Sequence, residues 1–263
     1  SFLVFALTLA WGNDPNAFFF QQFLGLTAGP HVLGDVRLPI LVSLVVVWLI
    51  NWVIVFFGIE HGVERANKIF MPLLFLLTAI LVVWTLTLPG SGEGLARYLK
   101  PDFSKLAEPK VWIDAYAQTF FTLSLGFGIM IAYASYLPRK SNINSDALIT
   151  CVVDTVYSIF AGLAVFGTLG YMAHATGKPF EDVVQKSIGL AFVAYPQAIS
   201  LLPSFAKLFG ALFFLTLLVA GIASAISILE AFTAAVMDKF HYPRKPVVSA
   251  LSIIGLLGGI VFT

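Results

Sequence analysis

Long, nearly uninterrupted apolar runs recur along this 263-residue chain, and they leave very few folds open to it. Residues 38–58 and 69–88 each supply about 20 such residues, enough to cross hydrocarbon at about 1.5 Å of rise per residue. Further runs cover 112–137, 147–173 and 208–237. Backbone groups in lipid must be satisfied within the segment, which makes helices the expected form. The runs also lack the alternation of a barrel strand. Composition agrees: 59% of residues are hydrophobic and 11% charged, against about 25% charged in an ordinary soluble domain. A soluble fold of this size cannot hide that much apolar surface. A soluble enzyme, a nucleic-acid binder and a disordered chain are therefore excluded, and the lipid bilayer becomes the first partner. A net charge of +1 gives no case for nucleic acid or another anionic partner.

Both ends fall inside apolar stretches, 1–11 and 247–263, which read as partial helices. The first lacks the basic region and cleavage site of a signal peptide. The expectation is one partial transmembrane domain, 1–263, belonging to a longer protein. Orientation follows from the loops. Short segments at 59–68, 138–146 and 238–246 hold Arg65, Lys68, Arg139, Lys140, Lys239, Arg244 and Lys245. The remaining basic residues are spread over three longer loops, 12–37, 89–111 and 174–207. Short, Lys/Arg-dense loops are cytoplasmic, so the protein is expected to be multi-pass in the plasma (cell inner) membrane with the long loops outside. Those outer loops carry turn formers at Gly29-Pro30, Pro89-Gly90 and Gly177-Lys178-Pro179. An apolar piece at 187–195 is suited to re-entering or to packing over a vestibule.

Ionisable and polar side chains at membrane depth are the functional candidates. In the third run Gln118 and Thr122 share a helical face, just before Ser124 and the Gly-Phe-Gly at 126–128. Two glycines there read either as close helix packing or as a break that frees carbonyls for a cation and amides for a carboxylate. In the fourth run Asp154 and Ser158 are one turn apart. A carboxylate at that depth needs a cation, a proton or a hydrogen-bond network. The fifth run holds a small-residue patch, Ala220-Gly221-Ile222-Ala223-Ser224-Ala225-Ile226-Ser227, and a second buried carboxylate candidate, Glu230. His31, His61, His174 and His241 show no metal-ligand spacing. Nucleotide-binding and nucleophile-elbow motifs are absent, so no enzyme is expected. The one cysteine, Cys151, excludes an intramolecular disulfide.

The string Gln118-Thr119-Phe120-Phe121-Thr122-Leu123-Ser124-Leu125-Gly126-Phe127-Gly128, followed by Tyr133-Ala134-Ser135-Tyr136, closely resembles the broken sixth helix of the neurotransmitter:sodium symporter family, in its bacterial sodium-dependent amino-acid members. Flanking strings agree: GVERANKIFMPLLF at 62–75, KPDFSKL with VWIDAYAQ before the sixth helix, LGYMA at 169–173 and AGIASAISI from Ala220. The resemblance implies an all-α integral membrane fold, a leucine-transporter-like inverted-repeat helix bundle, here incomplete and running from the end of the third helix to the start of the ninth. It implies that Phe121 closes over an amino-acid substrate, that Ser124, Phe127, Ser224 and Ile228 line the substrate pocket, and that Thr122 and Asp154 belong to a first sodium site. Ala220 and Ser224 would serve a second sodium, and Tyr136 and Asp238 a cytoplasmic gate.

Two departures matter. Asp154 stands where the family usually has asparagine, and Ser158 where many chloride-independent members have glutamate. Either chloride sits among Gln118, Thr122 and Ser158, or the Asp154 carboxylate supplies the negative charge itself, which is the favoured solution. Ala223 stands where a ligand of the second sodium is usual, which weakens that site. The resulting expectation is a sodium-coupled symporter importing a small neutral or hydrophobic amino acid by alternating access. The alternative is a non-transporting amino-acid sensor or accessory protein with the same fold. Which amino acid is carried, and the oligomeric state, are not encoded in these residues.

Overall fold

In the computed structural model the described residues are 1–27, 34–184, 188–261 and 263. Gly29, Pro30, His31 and Ser187, named above, lie outside them. The described residues are helical and contain no strand. The main helices are α1 (Phe2–Thr8), α2 (Leu38–Phe56), α3 (Glu64–Leu86), α4 (Ser91–Leu99), α5 (Pro109–Thr122), α6 (Ile129–Ser135), α7 (Ile143–Thr176), α8 (Leu190–Ser200), α9 (Ala206–Phe240) and α10 (Arg244–Ile260). Among the described residues, four helical stretches are long and apolar enough to cross a membrane: Leu38–Phe56, Ile59–Leu86, Ile143–Thr176 and Ala206–Phe240. α7 and α9 have 34 and 35 residues, or about 50 Å each at the usual rise, so both extend beyond the hydrocarbon.

Segments read as short cytoplasmic loops are mostly helix. Residues 59–68 form a π-helical turn, Ile59–Val63, running straight into α3. Lys68 there pairs with Glu64 at 2.6 Å along the helix. The turn into it needs two glycines. Gly58 has φ +87°, and a Cβ on Gly62 would lie 1.9 Å from the Ile54 carbonyl oxygen. Between α9 and α10 only 241–243 are non-helical, closed by His241 at φ 55°. Charge density marks the side of the membrane, but it says nothing about where a helix ends.

The core sits between α1, α3, α7, α8 and α9. Phe2 packs edge-on against Phe23 and Phe192, with centroids 4.9 Å away in each case, and Tyr195 stacks on Phe213 at 3.9 Å. Of the apolar piece read at 187–195, residues 190–195 form the start of α8, where Val193, Ala194 and Ile199 are buried. Trp11 fixes its end by donating to the Ser200 hydroxyl at 2.8 Å. Outside the core, large apolar side chains such as Leu38, Val83 and Ile149 are exposed.

Candidate functional site

The third apolar run is not one helix. α5 stops at Thr122 and α6 starts at Ile129. The stop has Schellman bonding: the Leu125 amide donates to the Phe120 carbonyl at 3.1 Å and the Ser124 amide to the Phe121 carbonyl at 3.1 Å. The left-handed position this motif requires is filled by Ser124, at φ 55°, where glycine is usual. Gly128, at φ +70°, then turns the chain into α6. The sequence marked a break at the glycines of 126–128, and the unwinding begins earlier, at Leu123. Between the two helices the backbone has amides and carbonyls without intrahelical partners.

Beside this interruption, the Thr122 hydroxyl faces both carboxylate oxygens of Asp154 on α7, each at 3.1 Å. One hydroxyl carries one proton, whereas an ionised carboxylate has about four acceptor positions. The pair is therefore short of positive charge, and none of the lysines or arginines among the described residues bridges to Asp154. A hydroxyl and a carboxylate are hard oxygen donors, which suit a hard cation better than zinc with its nitrogen and sulfur ligands. Consistently, no cluster of three His, Cys, Asp or Glu occurs among the described residues.

Gln118 and Ser158 lie one turn from Thr122 and Asp154 respectively, and both are exposed. No direct hydrogen bond joins them. Phe121 and Phe127 meet edge to face across the break, centroids 6.2 Å apart and rings at 72°. Both are exposed, at 66% and 55%. On α9, Ala220 and Ser224 are one turn apart. Neighbouring hydroxyls fold back on their own helix: Thr216 donates to Leu212, Ser227 to Ala223 and Thr233 to Leu229. Ser224 makes no such bond. Ala223 is buried, and Ile228 is 40% exposed.

Tyr136 does not bond to Asp238. Its hydroxyl donates to Oε1 of Glu230 at 2.8 Å. Glu230 is fully buried and is held in a two-pronged ion pair by Arg244 of α10, with Nη1 2.9 Å from Oε1 and Nη2 on Oε2. Arg244 also donates through Nε, at 3.1 Å, to the Val55 carbonyl at the end of α2. Four helices, α2, α6, α9 and α10, thus meet at one carboxylate. One step deeper, Tyr133 donates to Ser227 at 2.7 Å. Asp238 instead borders an open cleft of about 370 Å³ between α6 and α9, with Phe127 and Ser135. The sequence marked Glu230 as a buried carboxylate but counted Arg244 as a loop charge. No spacing rule joins residues on two helices across a turn.

The sodium:neurotransmitter symporter family model matches residues 6–263. An uncharacterised sodium-dependent transporter of Methanocaldococcus jannaschii is 46% identical over 262 residues, covering 100% of this chain and 53% of that protein. A sodium-dependent dopamine transporter of Caenorhabditis elegans is 38% identical over 241 residues, covering 87% of this chain and 38% of that protein. Among solved structures, MhsT in complex with L-phenylalanine matches with a TM-score of 0.76 at 33% identity, over 98% of this chain and 55% of that one. The chain spans about half the length, or less, of the relatives it matches.

Proposed function

The chain belongs to the sodium:neurotransmitter symporter family, and on that premise we propose that the intact protein is a sodium-coupled symporter importing a small neutral or hydrophobic amino acid across the plasma membrane. The observation that carries this reading is the Thr122–Asp154 contact beside the interruption at 123–128. In the proposed mechanism Thr122 and Asp154 hold one sodium ion, and the free backbone of the break binds the polar end of the amino acid. Phe121 closes over the substrate from outside. Ser124, Phe127, Ser224 and Ile228 line its side-chain pocket, and the two phenylalanine rings exclude water there. MhsT, which resembles this chain, is solved with L-phenylalanine, and that supports an apolar substrate.

The Asp154 carboxylate takes the part that chloride would play among Gln118, Thr122 and Ser158, because a fixed negative charge next to the sodium leaves nothing for an anion to neutralise. Ala220, through its carbonyl, and Ser224, through its unengaged hydroxyl, hold a second sodium. On the cytoplasmic side Tyr136, Asp238, Glu230 and Arg244 form the gate. Alternating access then consists of opening this assembly while the phenylalanine side closes.

Ala223 favours a second reading, a sensor that binds an amino acid without moving it, since a methyl group stands where a sodium ligand is expected. Reconstituting the intact protein in sealed vesicles and screening labelled amino acids with an imposed sodium gradient tests both. Accumulation that needs the gradient supports the symporter. Saturable, sodium-dependent binding without accumulation supports the sensor, and neither signal with any amino acid overturns both.

A further inference from the structure

A partly open pocket of about 180 Å³ lies among α3, α7, α8 and α9, away from the Thr122–Asp154 contact and the gate. Its walls are mostly carbon, from residues such as Leu74, Leu81, Ala164, Phe209, Phe213 and Leu217. Leu81, Ala164, Phe209 and Phe213 are buried, at 9% exposure or less. The space exists because α7 presents alanines at 161 and 164 toward large side chains of α3 and α9.

Several hydroxyls border it, and four of them have hydrogen-bond partners. Thr78 and Tyr157 bond to each other at 2.8 Å, Thr168 donates to the Ala164 carbonyl at 2.8 Å, and Thr216 donates to the Leu212 carbonyl at 2.7 Å. Water enters a buried space when it finds about two to four polar partners, whereas a carbon-lined cavity of about 150 Å³ stays dry and accepts benzene or xenon. The protons of Thr168 and Thr216 are spent on carbonyls of their own helices, and Thr78 and Tyr157 are bonded to each other, so few donors are left to recruit water. We propose that this cavity is a binding site for a small apolar molecule, a single hydrocarbon ring or a short alkyl chain of about six carbons.

Binding at this site rests on the packing alone. Its consequence rests on the proposed transport function. A guest touches three long helices at once and adds contacts only in their present arrangement, so it stabilises that arrangement over any other. Ala220, a proposed sodium ligand, forms part of the wall. Occupancy is therefore expected to slow transport without competing with the amino acid.

The test uses the intact protein, with xenon and benzene as probes and two cavity-filling variants, Ala164→Leu and Ala161→Leu. In crystals under xenon pressure, a peak is expected between Thr78 and Phe213, lost in at least one well-folded variant. Benzene is expected to raise the thermal midpoint of the parent protein by roughly 3 °C more than that of the filled variant. That difference removes any general effect of benzene on detergent or lipid. Ordered water in the cavity, a side chain from the rest of the protein filling it, or equal benzene shifts in parent and variant would overturn the site. Amino-acid uptake is read separately: uptake unaffected by benzene in the face of a xenon peak overturns the inhibitory consequence and leaves the site.

Discussion

The chemistry proposed for this chain depends most on the charge of Asp154. Its carboxylate has one hydroxyl donor, Thr122, and no basic partner among the described residues, so the sodium ion itself is the natural counter-charge. Asp154→Asn keeps the shape and one oxygen but removes the charge. In the intact protein the half-saturating sodium concentration for uptake should then rise at least tenfold, which corresponds to about 1.4 kcal/mol. Uptake should also become dependent on chloride, because Gln118, Thr122 and Ser158 remain to hold it. Replacing chloride by gluconate checks this: the parent should be indifferent and the variant impaired. A parent that already stops without chloride would remove the role given to Asp154. The other decisive carboxylate, Glu230, differs in being fully buried and paired. Arg244→Met strands that charge and should destabilise the protein by about 3–5 kcal/mol, whereas joining it to Glu230→Leu should recover most of the loss. Thermal unfolding of the three variants measures the difference. Recovery of stability without recovery of uptake would locate the function of the pair in gating.

At the scale of elements, the break between α5 and α6 includes one of the four non-glycine residues with a left-handed backbone among the described residues, beside Leu9, Phe205 and His241. Ser124 adopts a left-handed conformation that costs a non-glycine residue about 1–2 kcal/mol. Ser124→Gly removes that strain, partly offset by greater chain entropy. Its expected net gain is roughly 0.5–1 kcal/mol of stability together with weaker amino-acid binding, as the hydroxyl is lost. A thermal midpoint that rises while ligand-induced stabilisation falls is the outcome to look for. A midpoint that drops would mean that Ser124 is not strained. The presence of long apolar runs could be read from hydropathy, whereas the glycines at 126 and 128 alone fit close packing as well as a break, and the interruption is implied by the family resemblance. The register of the break could not be read, because it is set by where Leu125 and Ser124 find carbonyls, on Phe120 and Phe121. The partner of Tyr136 was equally illegible. Its hydroxyl reaches Glu230 because Arg244, from the following helix, holds that carboxylate in place. Asp154 could be named because a lone charge in an apolar run stands out in sequence. Arg244 could not, because a base near a helix start looks like any other loop charge until the turn at 241–243 brings it back.

For the whole molecule, orientation is the property on which the direction of transport depends. The α9–α10 turn, the α6–α7 link and the start of α3 together hold the dense basic residues, while the links from α3 to α5 and from α7 to α9 lie at the opposite ends of the same helices. Since α7 and α9, at 34 and 35 residues, are longer than the hydrocarbon is thick, their terminal residues are expected to stand in water on either side. Lys140, just before α7, should then be cytoplasmic, and Lys178, just after it, external. The native Cys151 is exposed on α7 and has to be removed first by Cys151→Ala. On that background Lys140→Cys should resist a membrane-impermeant thiol reagent added to intact cells and react after permeabilisation. Lys178→Cys should react from outside at once. The reverse pattern would invert every assignment of inside and outside made here, placing Phe121 on the cytoplasmic side and the Glu230–Arg244 pair outside. If both positions react from outside, α7 does not span the bilayer, and Asp154 cannot be an intramembrane ion ligand. Accessibility at these two lysines therefore tests orientation, and with it the ground on which a sodium site at Thr122 and Asp154 is proposed.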